Sequence, residues 1–134
     1  MLKCRLAVVA DSVVRDADSN YVSIFNVFEE VNSFGFPLAL NKFYALFMLT
    51  RQATDTEQYD GRLRMTLAGV QLTDVPLRFD FQGKVNTRVM AQLNGLIIPA
   101  PGILRTSLFI GADEIGHWET AVSLVPRPPG VAVP

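Results

Sequence analysis

The feature that most constrains the fold is a two-residue alternation of apolar and polar side chains, which is clearest in VPLRFDFQ, residues 75–82. An extended strand points successive side chains to opposite faces, so this pattern predicts a strand with one buried face. The apolar face would carry Val75, Leu77, Phe79 and Phe81. The preceding GRLRMTLA alternates in the same way, and the intervening GVQLTD has the glycine and aspartate of a hairpin connection. We expect the two segments to pair as antiparallel neighbours.

Six further segments favour strands: KCRLAVVA, YVSIFNVFEEV, KFYALFMLTR, TRVMAQL, GILRTSLFI and EIGHWETAVSLV. The breaks between them are rich in Gly, Pro, Asn and Asp, and Gly35 and Pro37 argue against a long helix in SFGFPLAL. The sequence therefore predicts an all-β protein, an antiparallel β-sandwich of about eight strands, immunoglobulin-like or C2-like. It predicts one domain over residues 1–125, followed by a proline-rich tail over residues 126–134.

Composition limits the partners and the compartment. The formal net charge is −1 and the pI is 5.7, so no basic excess points to nucleic acid. No run of about 20 apolar residues predicts a membrane span. Cys4 is the only cysteine, which excludes an intramolecular disulfide and fits a reducing compartment. The apolar stretch after it is interrupted by Asp11 and is too short for a signal peptide, so we expect a cytoplasmic protein without membrane or nucleic-acid partners.

Few residues could carry chemistry. Alternation from Trp118 puts the only histidine, His117, on an outer face, and no nucleophile elbow or phosphate-binding loop occurs. The aspartates of the first connection, Asp11, Asp16 and Asp18, could in principle bind calcium, but an Asx turn explains DADSN more simply. Arg62, Arg64 and Arg78 are expected to form cross-strand ion pairs, or else to meet an anionic partner. No catalytic residue, metal site or cofactor is predicted.

Four segments together resemble a family of small bacterial domains of unknown function. They are CRLAVVADSV, VSIFNVFEEV, FGFPLALNKFYALFMLTR and LNGLIIPAPGILRTSLFIGADEIGHWETAVSLVP. In that family the chain ends in a strand, a Leu-Pro-x-Pro-Gly turn and two strands joined by an Asp-Gly-like turn. This chain differs in having Thr106 where an aromatic is usual, and GADEIG at the last turn. The resemblance implies a β-sandwich and no activity.

An apolar surplus favours a binding role. VSIFNVF and FYALFML are apolar on both faces, whereas a two-sheet sandwich buries one face of each strand. Either SFGFPLAL folds across the second face, or a patch is exposed for self-association or a protein partner. The candidate interaction residues are Phe34, Phe36, Leu38 and Tyr44. We expect a non-catalytic protein-interaction or assembly module. The alternatives are a carbohydrate- or calcium-binding sandwich that uses its end loops, and an enzyme with a site around His117.

Overall fold

A computed structural model describes residues 1–127 of the 134-residue chain. This part is all-β, with no helix and so none that is long and apolar enough to cross a membrane. The strands are β1 (Lys3–Arg15), β2 (Val22–Val27), β3 (Glu30–Ser33), β4 (Leu38–Thr50), β5 (Gln58–Leu67), β6 (Val70–Asp80), β7 (Asn86–Ile98), β8 (Gly102–Ile110) and β9 (Asp113–Leu124). Most of the predicted proline-rich tail, residues 128–134, lies outside the described residues.

The strands form two sheets that pack face to face, which confirms the predicted β-sandwich. One sheet has the order β2-β1-β4-β7 and the other has the order β3-β9-β8-β5-β6. The strand count differs from the prediction because YVSIFNVFEEV splits at Phe28 and Glu29 into β2 and β3, which belong to different sheets. The Phe28 carbonyl at this crossing accepts hydrogen bonds from the Trp118 indole at 2.9 Å and the Thr120 hydroxyl at 2.8 Å. The β3–β9 pair is parallel, whereas the other pairs are antiparallel.

The main core lies between the sheets and follows the predicted alternation. GRLRMTLA and VPLRFDFQ pair as expected, with Leu63 opposite Val75. The largest fully buried side chains include Phe43, Phe47, Phe81, Leu63, Met65, Leu104 and Leu108. The last hairpin differs from the sequence pattern in two details, because alternation from Trp118 would point Leu124 inward and GADEIG suggested a longer turn. Leu124, the final residue of β9, is exposed, and the turn spans only Gly111 and Ala112 because Ile110 already pairs with Asp113.

A second apolar cluster lies on the outer face of the first sheet. Val8 and Leu46 are opposite each other, point away from the main core, and are nonetheless buried together with Ala10 and Val13. The turn between β1 and β2 reaches β7, where Arg88 donates a hydrogen bond to the Asn20 carbonyl. Because β4 separates β1 from β7 in the sheet, the far half of the β1–β2 hairpin must cross the outer face of β4.

The folded-back β1–β2 hairpin is the segment that covers the outer apolar face of the first sheet. SFGFPLAL does not, because Phe36, Leu38 and Leu40 pack against the main core. The cover comes from Val13 of β1 and from Val22 and Ile24 of β2, which pack against the second cluster. Apolar residues on both faces of FYALFML are thus buried or partly buried within the domain.

A candidate anion-binding cleft

A cleft of about 620 Å³ lies between the tip of the folded-back hairpin and the neighbouring end of the first sheet. Its lining includes four cationic side chains, those of Arg5, Arg15, Lys84 and Arg88. Amide, hydroxyl and apolar groups complete it, chiefly Asn20, Asn86, Thr87 and Met90. No carboxylate lines the cleft among the residues that the structure describes. We call it the basic cleft.

Four separate segments bring the cations together. Arg5 is the extra residue of a β-bulge in β1, between Cys4 opposite Leu49 and Leu6 opposite Met48. A bulge bends its strand and redirects a side chain, which explains how a residue in an alternating strand comes to line this site. Arg15 ends β1, and Lys84 lies in the β6–β7 connection. Arg88 lies on β7, opposite Met48.

Asn20 fixes two of the cleft's guanidinium groups. Its carbonyl accepts from Arg88, and its side-chain oxygen Oδ1 accepts from Arg15 at 3.3 Å. Asn20 has a φ of 62°, a left-handed conformation that asparagine adopts more readily than most residues. Asn20 Oδ1 therefore lies between the two guanidinium groups, since Arg88 also donates to it at 3.5 Å.

The hairpin turn itself is an Asx turn, as the sequence predicted. Asp16 Oδ1 accepts hydrogen bonds from the backbone amides of Asp18 at 2.8 Å and Ser19 at 3.0 Å. The amides of Ser19 and then Asp18 lower the pKa of the Asp16 carboxyl. This carboxylate oxygen is therefore occupied by the backbone. Across residues 1–127 no group of three or more His, Cys, Asp or Glu side chains is placed to hold a metal ion.

The buried Arg51 positions the opposite wall of the cleft, and sequence reasoning did not single it out. Its Nε donates to the Lys84 carbonyl at 2.8 Å, and its backbone amide donates to the Val85 carbonyl at 2.8 Å. Its Nη1 donates to the carbonyls of residues 52, 53 and 55, and its Nη2 donates to Glu57 Oε1 at 3.5 Å. A buried guanidinium needs this many acceptors, so Arg51 ties the β4–β5 and β6–β7 connections together and fixes the backbone that carries Lys84.

Within the described part of the chain, the cleft cations differ from most other cations in having no carboxylate partner. Five arginines form ion pairs: Arg51, Arg62, Arg64, Arg78 and Arg105. The expected cross-strand pairing is confirmed, since Arg62 and Arg64 both bind Asp74, and Arg78 binds Asp60. Desolvation acts to raise the pKa of Asp74, but the hydrogen bonds from the two arginines outweigh it and lower that pKa. Within residues 1–127, none of the four cleft cations lies within 4.0 Å of a carboxylate oxygen.

The interaction residues that the sequence predicted do not form one surface. Phe34 is 47% exposed, with the Arg127 guanidinium 5.7 Å from its ring centroid. Phe36 and Leu38 are partly buried against the main core. Tyr44 belongs to the second cluster, and its hydroxyl donates to Gln92 Oε1 at 3.3 Å. Of the four, only Phe34 is substantially free to meet a partner.

His117 is exposed, as predicted, and lies near an acid and a serine. Its Nδ1 is 4.0 Å from Glu114 Oε1, but the Ser107 hydroxyl donates directly to the same carboxylate oxygen at 2.6 Å. A serine nucleophile needs its proton directed at a base such as imidazole, and here the carboxylate of an Arg105–Glu114 ion pair takes that place. The arrangement is that of a surface ion-pair network. Burial raises the pKa of the Cys4 thiol, which favours its protonated form.

A second cleft, of about 650 Å³, lies between the start of β1 and the β8–β9 turn. Its lining mixes Lys3 with Asp113 and Glu114, so it presents no single charge to a ligand. The basic cleft is therefore the better candidate site.

The basic cleft could not be predicted from sequence spacing. Its cations are up to 83 positions apart, from Arg5 to Arg88 (88 − 5 = 83). Arg15 reaches the other three only because the β1–β2 hairpin folds back. One available signal was AVVADSVV, which has apolar residues on both faces and so indicates that this strand is covered on both sides.

Comparisons with known proteins identify the family. The model of a family described as "Family of unknown function (DUF6941)" matches residues 5–123. No curated protein matches the chain. Among solved structures, the alkylpurine DNA glycosylase AlkC of Pseudomonas fluorescens, bound to DNA containing an abasic site analog, is similar at 10% identity and a TM-score of 0.46. That match covers 90% of this chain and 30% of the glycosylase chain. The family match spans most of the chain, and the protein is a member of the DUF6941 family.

Proposed function

We propose that this domain is a non-catalytic binding module whose main site is the basic cleft and whose ligand is an anion. The observation that carries the proposal is the set of four cationic side chains that line one concave site, with no carboxylate from residues 1–127 among them. The proposal keeps the interaction module expected from the sequence, but moves its main site from the Phe34 region to the cleft. We further propose a cytoplasmic location, because the only thiol is free.

Electrostatics supports this assignment. Holding like charges together without counter-charges is unfavourable, so an arrangement of unpaired cations is expected where an anion binds. The chain has enough acids to pair them, since Asp and Glu number 13 against 12 Lys and Arg. Three of the four cations are arginines, whose planar guanidinium can donate two parallel hydrogen bonds to an oxyanion.

A thermal-shift series tests the proposal. The melting temperature would be measured with tartrate, sulfate and phosphate at constant ionic strength. A ligand that binds only the native state raises the melting temperature, so at least one anion should raise it in the wild type. Arg88→Ala should remove most of that rise. Arg78→Ala is the matched control, because Arg78 is exposed and paired with Asp60 outside the cleft. Equal shifts in both variants, or none in the wild type, would contradict the proposal.

A second candidate is a protein-docking surface on the exposed face of the β1–β2 hairpin. Val14, Phe25 and Val27 are 50%, 53% and 42% exposed. β2 is an edge strand, so its outer backbone groups are free for pairing with another chain. Sedimentation of the wild type and Phe25→Asp tests it for self-association. A dimer lost in the variant supports the surface, and a monomer in both leaves only a different protein as its occupant.

A further inference from the structure

We infer that the anion is a phosphate ester of a small molecule. This inference rests on the proposed function of the basic cleft and narrows it to one ligand chemistry.

The distribution of the cations favours a phosphate over a carboxylate. A carboxylate presents two oxygens in one plane, whereas a phosphate monoester presents three acceptor oxygens that point in different directions. The cleft cations enter from both ends of β1, from the β6–β7 connection and from β7, which places donors on separate walls. A tetrahedral anion can accept from several walls at once. Its charge of nearly −2 at pH 7 also neutralises more of the four positive charges than the single charge of a carboxylate does.

The size and remaining lining favour an organic group attached to the phosphate. Small-molecule sites usually have volumes of about 300–1,000 Å³, and the cleft's 620 Å³ lies within this range. Met90 offers an apolar contact, and its side chain is 45% exposed. The side chains of Asn20, Gln82 and Asn86 can donate or accept hydrogen bonds. These groups suit a polar molecule such as a phosphorylated sugar or nucleoside.

The charge pattern outside the cleft disfavours nucleic acid. A nucleic-acid backbone is tracked by a stripe or groove of unpaired basic residues. Here Arg62, Arg64 and Arg78 on the β5–β6 pair, and Arg105 on β8, are each bound to a carboxylate. Four cations without a carboxylate within 4.0 Å among residues 1–127 meet at one concave site, which suits a compact anion.

The ligand's own protonation supplies a diagnostic signature. The second pKa of a phosphate monoester is about 6, so the dianion is about fourfold less abundant at pH 5.5 than at pH 7.5. Among the described residues, arginine and lysine are the only charged side chains that line the cleft, and neither a histidine nor a carboxylate does. The only histidine, His117, is on the outer face of the other sheet. A fall in affinity on acidification would therefore report on the ligand.

Isothermal titration calorimetry with ribose 5-phosphate as the probe tests the inference. Tartrate, a dicarboxylate ionised throughout this pH range, and a ten-nucleotide oligothymidylate are the competing chemistries. We expect ribose 5-phosphate to bind at least tenfold more tightly than either, and to weaken about fourfold between pH 7.5 and pH 5.5. Arg88→Ala and Lys84→Ala should each weaken it at least tenfold, and Arg78→Ala should leave it unchanged.

The possible failures are distinguishable. Tartrate binding as tightly as ribose 5-phosphate would overturn the phosphate assignment and leave the anion site standing. Tighter binding of the oligonucleotide would overturn the assignment to a small molecule. Binding that survives both cleft substitutions would place the ligand elsewhere. If none of the three probes binds, the inference and the proposed function both fail.

Discussion

At the scale of single residues, two buried threonines that look alike in the sequence differ in their hydrogen bonds. Thr106 on β8 and Thr120 on β9 are both fully buried and lie on the core face of the same sheet. The Thr120 hydroxyl donates to the Phe28 carbonyl, whereas the Thr106 hydroxyl has no protein partner within residues 1–127. Alternation could predict that both side chains point inward. It could not predict their partners, because the Phe28 carbonyl arrives from a distant crossing between sheets.

This difference predicts opposite effects of one substitution. Thr106→Val removes a buried hydroxyl without a partner and should raise the free energy of unfolding by about 1 kcal/mol. Thr120→Val removes a hydrogen bond and should lower it by about 1 kcal/mol. Urea denaturation of both variants measures the two changes. Destabilisation by Thr106→Val would mean that its hydroxyl has a partner, such as a buried water.

Glu114 is the residue whose ionisation should matter for acid stability. Hydrogen bonding from Arg105, opposed by desolvation and assisted by Ser107, lowers the pKa of its carboxyl. A group with a lowered folded pKa adds stability above its unfolded value, about 4.3 for glutamate, and that stability is lost as the pH falls through the folded pKa. Glu114→Gln should therefore be less stable than the wild type at pH 7, with the difference shrinking below about pH 4. A difference that is independent of pH in urea denaturation would contradict this account.

At the scale of elements, the β1–β2 hairpin determines both the second apolar cluster and the cleft. Its inward face covers Val8 and Leu46, and its tip brings Arg15 and Asn20 to β7. Strand content was predictable from alternation, but the fold-back was not, because it depends on the bend of β1. A change of the buried face within β7 was not predictable from alternation either. Leu93 and Leu96 both pack against the main core although they are three residues apart, and Gly95 between them, at a φ of 71°, allows this switch.

Two neighbouring valines test the placement of this hairpin. Val13 is buried against the outer face of the first sheet, whereas Val14 is half exposed on the opposite face of the hairpin. Val13→Ala should lower the free energy of unfolding by about 1–2 kcal/mol, because it removes buried methyl groups and leaves a cavity. Val14→Ala should change it by no more than about 0.5 kcal/mol. Chemical denaturation that finds the reverse order would place the hairpin's other face on the sheet.

At the scale of the whole molecule, the charge pattern matters more than the net charge. The chain carries a formal charge of −1, yet four of its 12 cationic residues meet in one cleft. Net charge could not reveal this, because it does not say which charged side chains the fold brings together. Arg62 and Arg64 both reach Asp74 across the β5–β6 pair, and Arg105 meets Glu114 across the β8–β9 pair. Within residues 1–127, the cleft cations have no carboxylate oxygen within 4.0 Å.

The most direct test of the anion-binding account is a ¹H–¹⁵N NMR titration of the labelled protein with inorganic phosphate at constant ionic strength. The account predicts saturable shifts at the backbone amides of the hairpin turn around Asn20, of residues 82–88, and of the bulge at Arg5. The amides around Arg62 and Arg78 should not move, because those arginines lie in ion pairs outside the cleft. Shifts centred on the β5–β6 pair, or none that saturate at the cleft, would contradict it.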